Sequence, residues 1–187
     1  SITLDSGGGG ILAFDSLQID SRITGSGSLT LLGVADLTLT GINDYTGGTL
    51  LLGSGGNEFF ISDDRNLGAA GGALAMDSAI LGFDADVTMA GRAITLSGLG
   101  GVFDTGSHTV TIGQPVSGTG DLVQLGSGTL VLAGDNTHVG DTYVDGGTLV
   151  LGNGGASGSL AADPGDMLFV GGTLAFNSSG THTVGQD

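Results

Sequence analysis

The sequence predicts an all-β fold wound into a β-solenoid. Three observations carry that prediction: a composition suited to strands and turns, an apolar pair that returns about every 20 residues, and paired glycines that lead into strands. The 187 residues include 40 Gly, no Lys, no Cys and 19 acids, of which only Glu58 is Glu. Asp favours turns, Gly supplies positive φ, and Thr and Val suit strands, whereas the helix-supporting Glu, Lys, Gln and Arg are nearly missing. Leu, Ile, Val and Phe make up 53 residues, enough for a core and more than a disordered chain carries.

In chain order the apolar pairs are Leu12/Phe14, Leu29/Leu31, Leu50/Leu52, Leu74/Met76, Ile94/Leu96, Val110/Ile112, Leu130/Leu132, Leu149/Leu151 and Leu174/Phe176. Period-two alternation sends both members of a pair to one strand face and the residue between them to the other. Successive pairs start 17, 21, 24, 20, 16, 20, 19 and 25 residues apart. Secondary pairs (Leu17/Ile19, Leu37/Leu39, Phe59/Ile61, Val87/Met89) fall between them, so each unit holds two or three short strands. One unit cannot bury its apolar face alone, but stacked units bury a continuous column. The expectation is about nine coils of roughly 20 residues, rising about 4.8 Å per coil into a rod on the order of 40 Å long. A sandwich would show strands joined by tight hairpins, whereas Gly47-Gly48, Gly71-Gly72, Gly100-Gly101, Gly146-Gly147 and Gly171-Gly172 mostly precede a strand. Phe14, Phe83, Phe103 and Phe176, each followed by Asp or Asn, read as inward aromatics ahead of a turn. The chain opens and closes inside patterned sequence, so residues 1–187 read as one β-helical domain excised from a longer array.

A longer repeat overlies the short one. Residues 25–49 align with 118–142 at a constant offset of 93, and 11 of those 25 positions are identical, among them Leu29/Leu122, Gly33/Gly126, Leu37/Leu130, Leu39/Leu132, Gly41/Gly134 and Asn43/Asn136. Past Thr49 the first copy runs into Leu-Leu-Leu-Gly, and the second reads as inserting Tyr-Val-Asp-Gly-Gly before Thr148. A shorter echo links 106–110 with 180–184.

The stretch 116–152 closely resembles the passenger-associated transport repeat of bacterial autotransporters. Gly118, Gly120, Leu122, Gly126, Gly128, Thr129, Leu130, Leu132, Gly134, Asn136, Gly140, Thr142, Gly146, Gly147, Thr148 and Leu149 fit its pattern in register. The aromatic that follows Asn in the family is His138 here and Tyr45 in the first copy, near 25–52, which is more degenerate. The resemblance implies a right-handed parallel β-helix serving as a passenger segment at the bacterial cell surface or secreted through the outer membrane. It implies a structural stalk and secretion-promoting element, partnered by the parent's own C-terminal outer-membrane β-barrel and supporting display of an adhesin or virulence factor. The alternative is an adhesive module whose side binds host glycan or matrix or self-associates. On the stalk reading the repeat's Gly and Leu are the functional residues, and no enzyme is expected.

Composition and motifs bear on the other classes. A formal charge of −16 with only Arg22, Arg65 and Arg92 as cations leaves no basic face for nucleic acid or an anionic membrane surface. Absent Cys removes disulfides and thiolate zinc sites. Asp104-Thr105-Gly106 looks like an aspartic-protease loop, but such enzymes need a second loop to share the proton, so it reads as a strand ending in a turn. No Gly-x-Ser-x-Gly string marks a serine nucleophile, and His108 and His182, before Thr-Val in both echo copies, read as structural or exposed. Scattered arginines argue against a lyase for acidic sugars, and without Lys there is no phosphate-binding P-loop. No cofactor is expected; Asp63-Asp64, Asp84/Asp86 and Asp141/Asp145 leave calcium as the one open ion. The pairs Thr38/Thr40, Thr109/Thr111 and Thr181/Thr183 do not extend into a regular ladder by sequence alone.

Overall fold

A computed structural model describes residues 1–54, 56–161 and 165–179. The short strands pair, parallel and in register, with strands of a neighbouring turn, because a strand of three to five residues has too few partners within its own turn to satisfy its backbone. Paired residues lie 19 to 25 positions apart, and the chain climbs through about eight turns.

Three faces result. The first begins with Ile2–Leu4 and Ile23–Gly25, passes through the strandless segment 43–46 and the 3-10 turn Asp64–Leu67, then continues as Val87–Met89, Thr109–Ile112, Thr129–Leu132, Thr148–Leu151 and Thr173–Phe176. The second stacks Gly9–Ala13, Leu29–Gly33, Thr49–Leu52, the starts of Leu74–Phe83 and Ile94–Asp104, and Val116–Gly118. The third stacks Leu17–Ile19, Leu37–Leu39, Glu58–Ile61, the ends of the two long strands, Leu122–Leu125, Thr142–Asp145 and Met167–Phe169. The long strands turn the corner between the second and third faces at Ser78 (φ 54°) and at Gly98 and Gly100 (φ 58° and 96°).

Nine apolar pairs mark nine successive rungs, which span about eight turns, and the pairs change face along the way. Leu29 through Ile94 lie on the second face, Val110 onward on the first, and the 16-residue step between Ile94 and Val110 is that change. The inward residues form one column that includes Ile23, Leu31, Leu37, Leu51, Met76, Leu96, Ile112, Leu130 and Leu149, all fully buried.

Two of the expected pairs point the other way. Leu12 (53% exposed) and Phe14 (71%) face solvent, and Ala13 is inward; Leu51 is inward while Leu50 and Leu52 are half-exposed. The strings Ile-Leu-Ala-Phe and Leu-Leu-Leu are apolar on both alternations, so the sequence carries no phase there; pairing with Leu29 and Leu31 sets it. Phe83 and Phe103 are buried aromatics at strand ends as expected, whereas Phe176 is 46% exposed. The echo at 180–184, with His182 and the pair Thr181/Thr183, lies outside the described residues.

Candidate functional site

The two copies of the long repeat begin on different faces. Gly25 ends a first-face strand and Gly118 a second-face strand, so the 93-residue offset corresponds to four turns and one face. Local geometry is nonetheless the same. Gly25 and Gly118 have φ of 115° and 112°, and a Cβ at either would meet a carbonyl of the turn below, Leu4 O at 1.9 Å or Leu96 O at 2.0 Å. Only Gly fits there.

The same closeness governs the rest of the repeat. A Cβ added at Gly120, Gly126, Gly128, Gly134, Gly140 or Gly147 would lie 2.1–2.6 Å from backbone of the preceding turn. Between these contacts Leu122, Leu130, Leu132 and Leu149 point inward with no exposed surface. Thr148 faces outward, half-buried, and pairs in register with Thr129 and Thr173.

Asn136 ties three turns together. Its Oδ1 accepts the Val116 N–H of the turn below (3.0 Å), and its Nδ2 donates to Ser159 O of the turn above (3.0 Å) and to Gly134 O (2.9 Å). Asn43 repeats the arrangement, accepting from Ile23 N–H (2.7 Å) and donating to Asn66 O (2.6 Å). Both are buried, and each carboxamide supplies hydrogen bonds where the strand ladder is interrupted.

Two residues on, the aromatic slot is filled from below the surface. Tyr45 Oη bonds Thr49 Oγ1 (2.5 Å), and Thr49 Oγ1 also donates to Leu67 O. His138 Nε2 bonds Thr142 Oγ1 (3.0 Å) four residues later in the same way. Burial pushes the Tyr45 phenol up to about 12, and it pushes the His138 imidazole below its ordinary value, opposed in part by Asp121. His138 Nδ1 is buried with no partner in the protein. The equivalence of Thr49 and Thr142 also aligns Thr49-Leu-Leu-Leu52 with Thr142-Tyr-Val-Asp145, so the second copy's Tyr-Val-Asp-Gly-Gly is the same strand and not an insertion.

Some structural residues escaped the sequence reading. Arg92 is fully buried; its Nε donates to the Asp64 carboxylate (2.8 Å), and its other nitrogens donate to the carbonyls of Asp64, Leu67, Gly68, Ala69 and Gly72. It fastens the 3-10 turn, whose N-cap Asp63 forms a capping box with Asn66. Thr109, Thr129, Thr148 and Thr173 do form a ladder on the first face, a recurrence legible as Thr before Leu or Val at intervals of 20, 19 and 25.

The candidate catalytic string is a turn. Asp104 accepts the Gly106 N–H (2.9 Å) and the Thr105 hydroxyl donates to Leu125 O (3.0 Å). Asp63 pairs with Arg65 (2.8 Å), Asp64 with Arg92 (2.8 Å) and Asp44 with Arg22. Among the described residues no three His, Cys, Asp or Glu are grouped to hold a metal, and no helix is long and apolar enough to cross a membrane.

Tight glycine contacts and cross-turn Asn bridges thus close a parallel solenoid turn upon turn. Residues 122–151 match the model of the passenger-associated-transport-repeat family. The chain is 39% identical over 163 residues to an adhesin, the BmaC autotransporter of Brucella suis biovar 1 (strain 1330). That match covers 87% of this chain and 4% of the relative, so the chain spans a small part of the curated protein it matches. No solved structure matches the chain. The chain thus carries an autotransporter passenger repeat and is similar over most of its length to part of an autotransporter adhesin, which supports a surface-exposed or secreted protein.

Proposed function

We propose that this segment is a non-catalytic stalk whose repeat promotes folding, and thereby export, of the passenger of a longer autotransporter. Its partner is the parent's own C-terminal outer-membrane β-barrel. The observation that supports this most is the Asn136 bridge, because the bonds of one turn are completed only when the next turn arrives. A chain emerging from a pore then gains burial and hydrogen bonds with every added turn, which biases it outward. The absence of Cys and Lys and the charge of −16 suit a chain held unfolded before export. Pulse–chase measurement of surface appearance tests the reading. Leu130→Asp places a charge in the core column and is expected to slow surface appearance severalfold while adhesion per displayed molecule stays unchanged. Unaltered export kinetics would overturn the proposal.

A further inference from the structure

Beyond the export role, we infer that the second face of the first three turns is a docking surface for a cationic amphipathic polypeptide segment. Leu12, Leu32 and Leu52 stack in register on the outside of that face, each directly over the last. Phe14 and Val34 continue the same outward alternation two residues on, and the bond from Val34 N–H to Ala13 O sets them side by side at the corner. Leu12, Phe14 and Val34 are exposed, Val34 to 66%, and Leu32 and Leu52 are half-buried, in a sheet whose outward neighbours on later turns are Asp77 and Ser97. The apolar patch is therefore about two residues wide and three rungs tall, roughly 7 by 10 Å between side-chain centres. Scattered single apolar residues need no explanation, but a registered block does.

The border of the patch selects its occupant. Asp15 and Asp36 follow Phe14 and Val34 at the corner, Asp36 accepts the N–H of Glu58 (3.0 Å), and Asp77 replaces Leu52 on the next rung. Burial raises the affinity of Glu58 for a proton, and the nearby Asp104 and Asp36 add to it. All three arginines are already ion-paired. A second copy of this chain would bring another −16 charge to the contact, and an anionic bilayer is repelled in the same way. A purely polar polycation would leave the leucines uncovered. An amphipathic segment with Leu-like residues on one side and Lys or Arg flanking them satisfies both the apolar centre and the acidic rim.

The probe is a synthetic amphipathic helix of leucine and lysine, titrated into the 187-residue chain by calorimetry. Its leucine/glutamate counterpart and a lysine-only peptide serve as controls. The proposal expects saturable binding of the leucine/lysine peptide alone, weakened by salt. Binding should fall about tenfold or more in Leu32→Thr/Val34→Asp and stay unchanged in Val123→Thr on the third face. Thr is tolerated at outward strand positions such as Thr30, so the double variant should fold, and circular dichroism verifies it. Equal binding by the double variant, equal loss in Val123→Thr, or capture of the lysine-only peptide would overturn the site. Concentration-dependent dimerisation abolished by the same double variant would identify a second copy as the occupant, and would also overturn it.

Discussion

Replacing Asn136 by Ala removes one carboxamide from three turns at once. Val116 N–H is left buried without its acceptor, which costs about 1–3 kcal/mol. The Gly134 carbonyl loses a donor, while Ser159 O keeps the bond from the Asn136 main-chain N–H (2.9 Å). With the lost bond to Gly134 O at about 1 kcal/mol and Ser159 O still satisfied, the substitution should cost about 2–4 kcal/mol. Urea unfolding reads this as a lower midpoint at unchanged slope. Hydrogen exchange adds a local readout, since the Val116 amide should exchange at least tenfold faster. Asn43→Ala should behave alike, because Ile23 N–H and Asn66 O are its partners. Asn136→Asp retains the acceptor but turns carboxylate oxygen toward Ser159 O and Gly134 O, so it should be no better than Ala at neutral pH. A loss below about 0.5 kcal/mol, with Val116 protection intact, would refute the claim that this side chain bridges the turns.

Three further outcomes follow from the same geometry. Burial holds the His138 imidazole below its unfolded value, so its contribution to stability is complete above about pH 6.5 and is lost as pH falls through the folded value. The Asp121 carboxylate moderates this, and His138→Tyr, which copies Tyr45, should flatten the loss of stability measured by urea midpoints between about pH 7 and pH 5; an identical profile would contradict it. Arg92→Met leaves Asp64 and several carbonyls unpaired, and should cost about 3–5 kcal/mol and open 64–72 to limited proteolysis. Gly118→Ala should destabilise by more than about 2 kcal/mol because its Cβ meets Leu96 O at 2.0 Å, whereas Gly71→Ala, with open space around it, should stay within about 0.5 kcal/mol in the same assay.

How much of this was legible depended on whether a residue's partner has a signature of its own. The solenoid was readable because rungs such as Leu130/Leu132 and Leu149/Leu151 repeat the same alternation at near-constant spacing. Phase failed at Leu12/Phe14 and Leu50/Leu52, where both alternations are apolar and only cross-turn pairing decides which side is buried. Asn136 was visible as a motif position, but its work was not, since its partners are main-chain groups about one turn away in either direction. Arg92 gave no signal for the same reason: five of its acceptors are carbonyls 20 to 28 residues upstream. The Tyr45/His138 equivalence was legible from the 93-residue offset, whereas its burial and its bond to Thr49 or Thr142 required the fold.

The most direct test of the repeat's role is an in-register deletion in the full-length protein. Leu122 and Thr142 occupy equivalent rungs, so removing residues 122–141 excises one turn of the repeat and joins Asp121 to Thr142 without shifting the ladder. Removing residues 2–22, outside both copies, excises one ordinary turn, because Ile2 and Ile23 are equivalent. Surface display is measured for both, and adhesion is normalised to the amount displayed. The account predicts that display falls severalfold for the 122–141 deletion and little for the 2–22 deletion, with adhesion per displayed 122–141 variant unchanged. Full display of the 122–141 variant combined with lost adhesion would contradict it and make the repeat itself the binding surface.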